Sequence, residues 1–224
     1  MNFPDGLLPA SWIIGAHFLL APVLLSLVSM GPWQTFRGRG DLLAFFAIAL
    51  LGVVFLWTAR AGIPQNPGLN MHLLGATALT LAFGWPLAMI GLLLALLGVT
   101  AMGLSGWSAF SVNALVMVVV PVLVAAAMHE LVQRKLPNHP FIYIFLSAFL
   151  GAALTMAALA VASAGVLLLS GTYGLADLIR EYLRYFPLLM FPEAFITGGL
   201  MAILVVYRPE WVVTFDDEAY LKGK

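Results

Sequence analysis

The side chains of this chain that can do chemistry are few and widely separated. Histidines stand at positions 17, 72, 129 and 139, and ten acidic residues are balanced by ten lysines and arginines. His129-Glu130 has no second histidine at the spacing of a metal-dependent hydrolase helix. Gly-x-Ser-x-Gly is missing, and nothing resembles a phosphate-binding glycine loop. No nucleophile–base pair converges on one segment, so the chain is read as a non-enzyme, with any ATP-driven step supplied by another subunit. Cysteine is absent, which excludes disulfides, thiolate metal sites, iron–sulfur clusters and a cysteine nucleophile. What remains is imidazole, carboxylate and carboxamide chemistry, carried by His17, His72, Glu193 and a few asparagines.

The elements that position these residues are apolar. Hydrophobic residues make up 62% of the chain and charged ones 9%, against about 25% charged in soluble domains. So few charges cannot build a water-facing shell, so the chain is read as an integral membrane protein in contact with lipid. A net charge of zero leaves no basic surface for a nucleic-acid backbone. Residues 1–8 hold no Lys or Arg, so the basic start of a cleavable signal peptide is missing and Met1 is read as the mature start.

A span of the ~30 Å hydrocarbon core needs about 20 apolar helical residues. Seven segments fit: 8–30, 41–59, 70–84, 85–103, 108–128, 141–170 and 184–207. Breakers separate them, among them Gly31-Pro32, Ile63-Pro64 through Pro67-Gly68, and Gly84-Trp85-Pro86. Segment 70–84 is short for a crossing at about 1.5 Å per residue; it tilts little, starts earlier in the loop, or lines a cavity. The runs are continuous, without the alternation of barrel strands. The expected fold is all-α, a single domain over 1–224 with about seven transmembrane helices.

Charge placement sets the expected orientation. With the N-terminus outside, Arg37, Arg39, Arg134, Lys135, Arg208, Lys222 and Lys224 are cytoplasmic, and Arg60, Arg180 and Arg184 are outside. The reverse topology swaps the sets, so N-outside, C-cytoplasmic is expected, in the inner (plasma) membrane. Met1 and the 60–72 loop then share the outer face.

Ionisable groups at membrane depth are costly, and each asks for a reason. His17 lies roughly 14 Å into the first span at 1.5 Å per residue. Two readings stay open: a neutral ring bonded to a neighbouring helix, or a metal or proton ligand. His72 opens the third span on the outer side, where a ligand role is as reasonable as an incidental one. Glu193, beside Pro192, is either a buried packing carboxylate or part of an ion path. Asn113 and Ser111 read as helix–helix hydrogen bonds, and His129 and His139 as solvated loop residues. Gly151, Ala152, Ala153, Gly198 and Gly199 read as close-packing positions.

Several blocks, in order, resemble one family. Met1-Asn2-Phe3-Pro4-Asp5-Gly6-Leu7-Leu8-Pro9 is similar to the start of the CbiM/NikM family, the membrane substrate-binding components of energy-coupling-factor cobalt and nickel transporters. Met71-His72-Leu73-Leu74-Gly75-Ala76 followed by Gly84-Trp85-Pro86 resembles its second block, and Phe110-Ser111-Val112-Asn113-Ala114-Leu115 loosely resembles its third. Glu193-Ala194-Phe195-Ile196-Thr197-Gly198 with Tyr207-Arg208-Pro209-Glu210 resembles its close.

The resemblance implies a metal held by the Met1 amine, by position 2 and by His72, with a divalent cobalt- or nickel-like ion as substrate. Nitrogen ligands of that kind suit Ni(II), Cu(II) or Co(II). The family has histidine at position 2, whereas this chain has Asn2. His17 suggests a repair: turn residues from Pro4 to Pro9 can send the N-terminus inward, so that Met1, His17 and His72 converge. Asn2, Asp5 or Asn70 would then support them. The implied partners are a transmembrane coupling subunit and cytoplasmic ATPase subunits. The alternative is a non-transporting accessory or assembly protein that has lost the metal site.

Overall fold

The structure is a computed structural model that describes all residues except 63–65, 217, 219 and 221–224. The expected breakers Ile63 and Pro64 and the cytoplasmic Lys222 and Lys224 lie outside the described residues.

Long apolar runs fold as helices because, away from water, each backbone N–H and C=O has to be satisfied within its own segment. The helices are α1 (Ala10–Met30), α2 (Gly40–Thr58), α3 (Ala76–Phe83), α4 (Trp85–Ala101), α5 (Phe110–Lys135), α6 (Pro140–Leu169), a short α7 (Leu175–Glu181) and α8 (Phe186–Tyr207). Among the described residues, five helical segments are long and apolar enough to cross a membrane: α1, α2, α5, α6 and the α7–α8 stretch. α4 is apolar but shorter. A two-residue hairpin pairs Ala61–Gly62 (β1) with Asn70–Met71 (β2) antiparallel.

Helix boundaries follow local chemistry. α1 stops at Gly31, whose φ of 55° needs a residue without a Cβ. In α5 the turn Leu115–Val119 widens to π geometry. Pro121 supplies the cause: it has no N–H to give, and its ring would collide with the carbonyl of Met117 in a regular helix. α5 runs on to Lys135, beyond the expected end at 128, because its last turns carry polar residues at the surface. The expected span 70–84 is corrected most. Only Ala76–Phe83 is helical, and residues 72–75 enter the bundle as non-helical chain.

α3 is buried on nearly every side, packed against α4, α5, α6 and α8. Gly198 makes the closest part of the α8–α6 contact, where a Cβ would overlap the Phe149 ring, whereas Gly199 faces open space. His129 is a correction: it is buried rather than solvated, with Nδ1 3.3 Å from Ser147 Oγ and its ring edge-on to Tyr143. His139 is in the loop and caps the next helix by accepting from Phe141 N–H.

The loops sort onto two faces. On one, the N-terminal segment meets the 66–70 loop, Ser105 to Ser108 and Thr172 to Tyr173. On the other, Trp211 Nε1 donates to Asp41, Arg39 donates to the Glu210 carbonyl, and Val213 N donates to the end of α3 at Ala82 O. Arg60, Arg180 and Arg184 belong to the first face, and Arg37, Arg39, Arg134, Lys135 and Arg208 to the second.

Candidate functional site

The N-terminal residues thread into the bundle instead of lying over it: Met1, Asn2 and Phe3 are buried. An extended segment at such a place needs partners for its main chain. Two asparagines supply them, each reading one residue's N–H and C=O together. Asn70 Oδ1 accepts from Asn2 N at 3.1 Å while its Nδ2 donates to Asn2 O at 3.0 Å. Asn113 Oδ1 accepts from Phe3 N at 2.8 Å while its Nδ2 donates to Phe3 O at 3.0 Å, and also to Ser105 Oγ. A carboxamide presents the same donor and acceptor as a peptide group, so each asparagine acts as one rung of a β-ladder. Asn113 thus holds the N-terminal segment, which corrects the expected helix–helix bond.

Asp5 anchors the other end of this segment. Its carboxylate accepts from Ser108 N at 2.7 Å, Ser108 Oγ at 2.5 Å and Trp107 N at 3.2 Å. Those bonds, led by the Ser108 hydroxyl, hold the Asp5 carboxyl below its ordinary range. Gly106 is needed beside it, because a Cβ there would run into the main chain at Pro4 and Asp5.

A second non-helical stretch, Asn70 to Gly75, lies alongside. Irregular backbone inside a bundle survives only where protein satisfies it. Glu193 of α8 is buried, and its two oxygens accept from Leu74 N at 2.7 Å and Gly75 N at 2.8 Å, the unpaired donors at the start of α3. Trp57 Nε1 donates to Leu74 O at 3.1 Å. This support lets His72 sit buried beside Asn2.

His72 Nδ1 lies 2.9 Å from Leu73 O. A carbonyl only accepts, so Nδ1 carries the proton. In a neutral imidazole Nε2 then presents a lone pair. That lone pair faces the Asn2 carboxamide, with the atom placed as Oδ1 at 3.0 Å. Two acceptors do not bond, and the Asn2 Nδ2 as placed has no partner. Exchanging the amide's O and N removes the clash of two acceptors, so that the Asn2 NH2 donates to His72 Nε2. The Met1 amine has Gly68 O at 3.1 Å, Asn70 O at 2.5 Å and Asn70 Oδ1 at 3.0 Å around it. Three acceptor oxygens match the three donors of an ammonium, whereas a neutral amine would donate to two of them and set its lone pair against the third. Burial first, then the Arg60 charge, push its pKa well below the ordinary N-terminal value, which favours the amine.

The structure therefore brings Met1, Asn2, Asn70 and His72 together. Asp5 and Asn113 hold the N-terminal segment in place, and Glu193 holds the turn that follows His72. His17 does not join them, which corrects the proposed convergence. It is exposed on α1, with Nδ1 2.6 Å from Ile13 O of its own helix, while Ala16, Leu20 and Leu27 are that helix's buried positions. No group of three His, Asp or Glu among the described residues could hold a metal ion. The available donors are an amine, an imidazole and a carboxamide. A cavity of about 520 Å³ opens next to them, bordered by Asn2, Asp5, Arg60, Asn70, Ser105 and Trp107. Trp57 and Ser105 were not singled out from sequence, and Arg60 only as an outer-face charge; their adjacency to His72 and Asn113 in the fold reveals them.

Fold and site together describe a multi-pass helical membrane protein that buries its own N-terminus against an imidazole. The chain belongs to the CbiM family, described as the cobalt uptake substrate-specific transmembrane region, which matches residues 2–211. Its fold is similar to a crystal structure of a transition metal transporter, with TM-score 0.75 and 23% identity over 92% of this chain and 93% of the other. It is also similar to a truncated transition metal transporter, with TM-score 0.69 and 20% identity over 94% and 99% of the two chains. No curated protein sequence matches it.

Proposed function

We propose that the chain is the substrate-binding membrane component of an energy-coupling-factor transporter in the inner membrane, taking up a divalent transition metal ion such as Co(II) or Ni(II). The observation that carries this reading is a buried Met1 amine held by Asn70, together with a buried His72 whose Nε2 lies 3.0 Å from the Asn2 carboxamide, within a chain of the cobalt-uptake family. The N-terminal face is the outer one, since it holds three of the described basic side chains that decide orientation and the opposite face holds five. The chain has no nucleotide-binding motif, so ATP hydrolysis falls to cytoplasmic partner subunits reached through a transmembrane coupling subunit. The chain itself is no enzyme.

The second reading, a non-transporting accessory protein, is favoured by one observation: Asn2 stands where the family has histidine. Accumulation of cobalt or nickel by cells that express the chain with coupling and ATPase subunits separates the two. Uptake that His72→Ala abolishes supports transport. No accumulation, together with co-purification of the chain with some other membrane complex, would replace it with the accessory reading. A reporter fused after Lys224 that reads as extracytoplasmic would overturn the orientation.

A further inference from the structure

The cavity of about 520 Å³ beside Asn2 carries a charge that a bare cation does not explain. Arg60 stands in its wall, together with Asn2, Asn70, Ser105 and Trp107. Its guanidinium donates to Leu104 O, also on the wall, and among the described residues it makes no ion pair. We propose that this cavity takes the metal ion as a complex with a small carboxylate chelator, such as an α-amino acid, whose carboxylate Arg60 holds. The proposal rests on the metal-uptake reading and names the form in which the ion is bound.

Four features support it. A fixed positive charge opposes an arriving divalent cation, and the opposition falls when a carboxylate has offset the charge of the ion. A guanidinium has N–H donors in a planar fork, and the bond to Leu104 O occupies Nη1, leaving the rest of the fork for a carboxylate. A carboxylate that gives one oxygen to the ion keeps the other for that fork. Next, the described residues nowhere group three His, Asp or Glu where they could hold one ion. A divalent transition ion takes about four to six donors, so a chelator supplies what these side chains lack. The size of the cavity also fits: about 520 Å³ lies within the ~300–1,000 Å³ of pockets for small organic ligands. Finally, Asp5 is the acidic residue on the wall, and its oxygens are turned to Ser108 N, Ser108 Oγ and Trp107 N. Asp5 is thereby occupied, and the guanidinium is left for an anion from outside.

The test is equilibrium dialysis of the full chain, purified in detergent with its native N-terminus, against radiolabelled nickel in three forms: the aqua ion, its histidine complex and its histidinamide complex. Histidinamide keeps the amine and the imidazole of histidine and lacks the carboxylate. Wild type should hold nickel–histidine about tenfold or more tighter than either other form, and labelled histidine should stay with the nickel. In Arg60→Gln that advantage should disappear while the aqua ion binds as in wild type, which also shows that the variant is folded. Nickel held without labelled histidine, histidinamide as effective as histidine, or an advantage that survives in Arg60→Gln overturns the proposal and leaves the uptake reading standing. A chain that binds none of the three forms overturns both. The histidinamide arm keeps the test decisive if Arg60→Gln does not fold.

Discussion

Replacing Glu193 by leucine should destabilise the bundle strongly, and replacement by glutamine should do so by an intermediate amount. Both carboxylate oxygens are in use, one on Leu74 N at 2.7 Å and one on Gly75 N at 2.8 Å, in a side chain that is only 3% exposed. Leucine leaves two buried N–H groups unpaired at about 1–3 kcal/mol each, or about 2–6 kcal/mol together. Burial of the new apolar side chain offsets little of this, because helices in lipid gain no hydrophobic driving force from packing together. Glutamine keeps one acceptor and turns an NH2 toward the other N–H, so about half of the loss should remain. Thermal unfolding in detergent should rank wild type above glutamine and glutamine above leucine. Hydrogen exchange should show the Leu74 and Gly75 amides losing protection first. A leucine variant as stable as the glutamine one, with these two amides still protected, would refute the reasoning.

Asn113→Leu should release the N-terminal segment. It unpairs the buried Phe3 N–H at about 1–3 kcal/mol, which is roughly 5- to 150-fold in metal affinity if all of it falls on docking that segment, read by equilibrium dialysis. Asp5 gives a pH dependence. Its folded pKa lies below the unfolded value of about 3.9, so its contribution is full above that pH and is lost as pH falls through the folded pKa. Asp5→Asn should flatten the stability curve below about pH 4 and leave it unchanged in slope near neutrality. Gly198→Ala should cost about 1–3 kcal/mol by forcing Phe149 aside, whereas Gly199→Ala, with open space around it, should be nearly neutral; both are read from melting temperature.

Much of the helical architecture was legible because continuous apolar runs between Gly and Pro breakers leave few alternatives. Gly31, Gly84 and Gly171 mark real ends. Segment 70–84 misled because apolarity reports burial and not helicity: His72 and Leu74 are buried in protein and Leu73 and Gly75 half-buried, and there Glu193 and Trp57 replace the helical hydrogen bonds. A side chain 119 residues away decides that, and no local pattern records it. Asn113 was legible as a buried polar group, but its partner was not. A carboxamide on a helix looks the same whether it meets another helix or a non-helical segment 110 residues earlier. His17 misled for the opposite reason. It reads as deep from its count along α1, yet depth does not say which side of the helix it occupies, and it faces outward with its ring bonded to its own backbone.

The proposed function requires a divalent metal to bind at the buried N-terminus and His72. Equilibrium dialysis of Co(II) and Ni(II) against protein with a free native N-terminus, against the same protein carrying an N-terminal extension, and against His72→Ala tests it most directly. Binding by the native chain, loss of binding on extension and in His72→Ala, and no change in His17→Ala are the expected results. A native chain that binds neither ion, or an extended chain that binds as tightly as the native one, would contradict it.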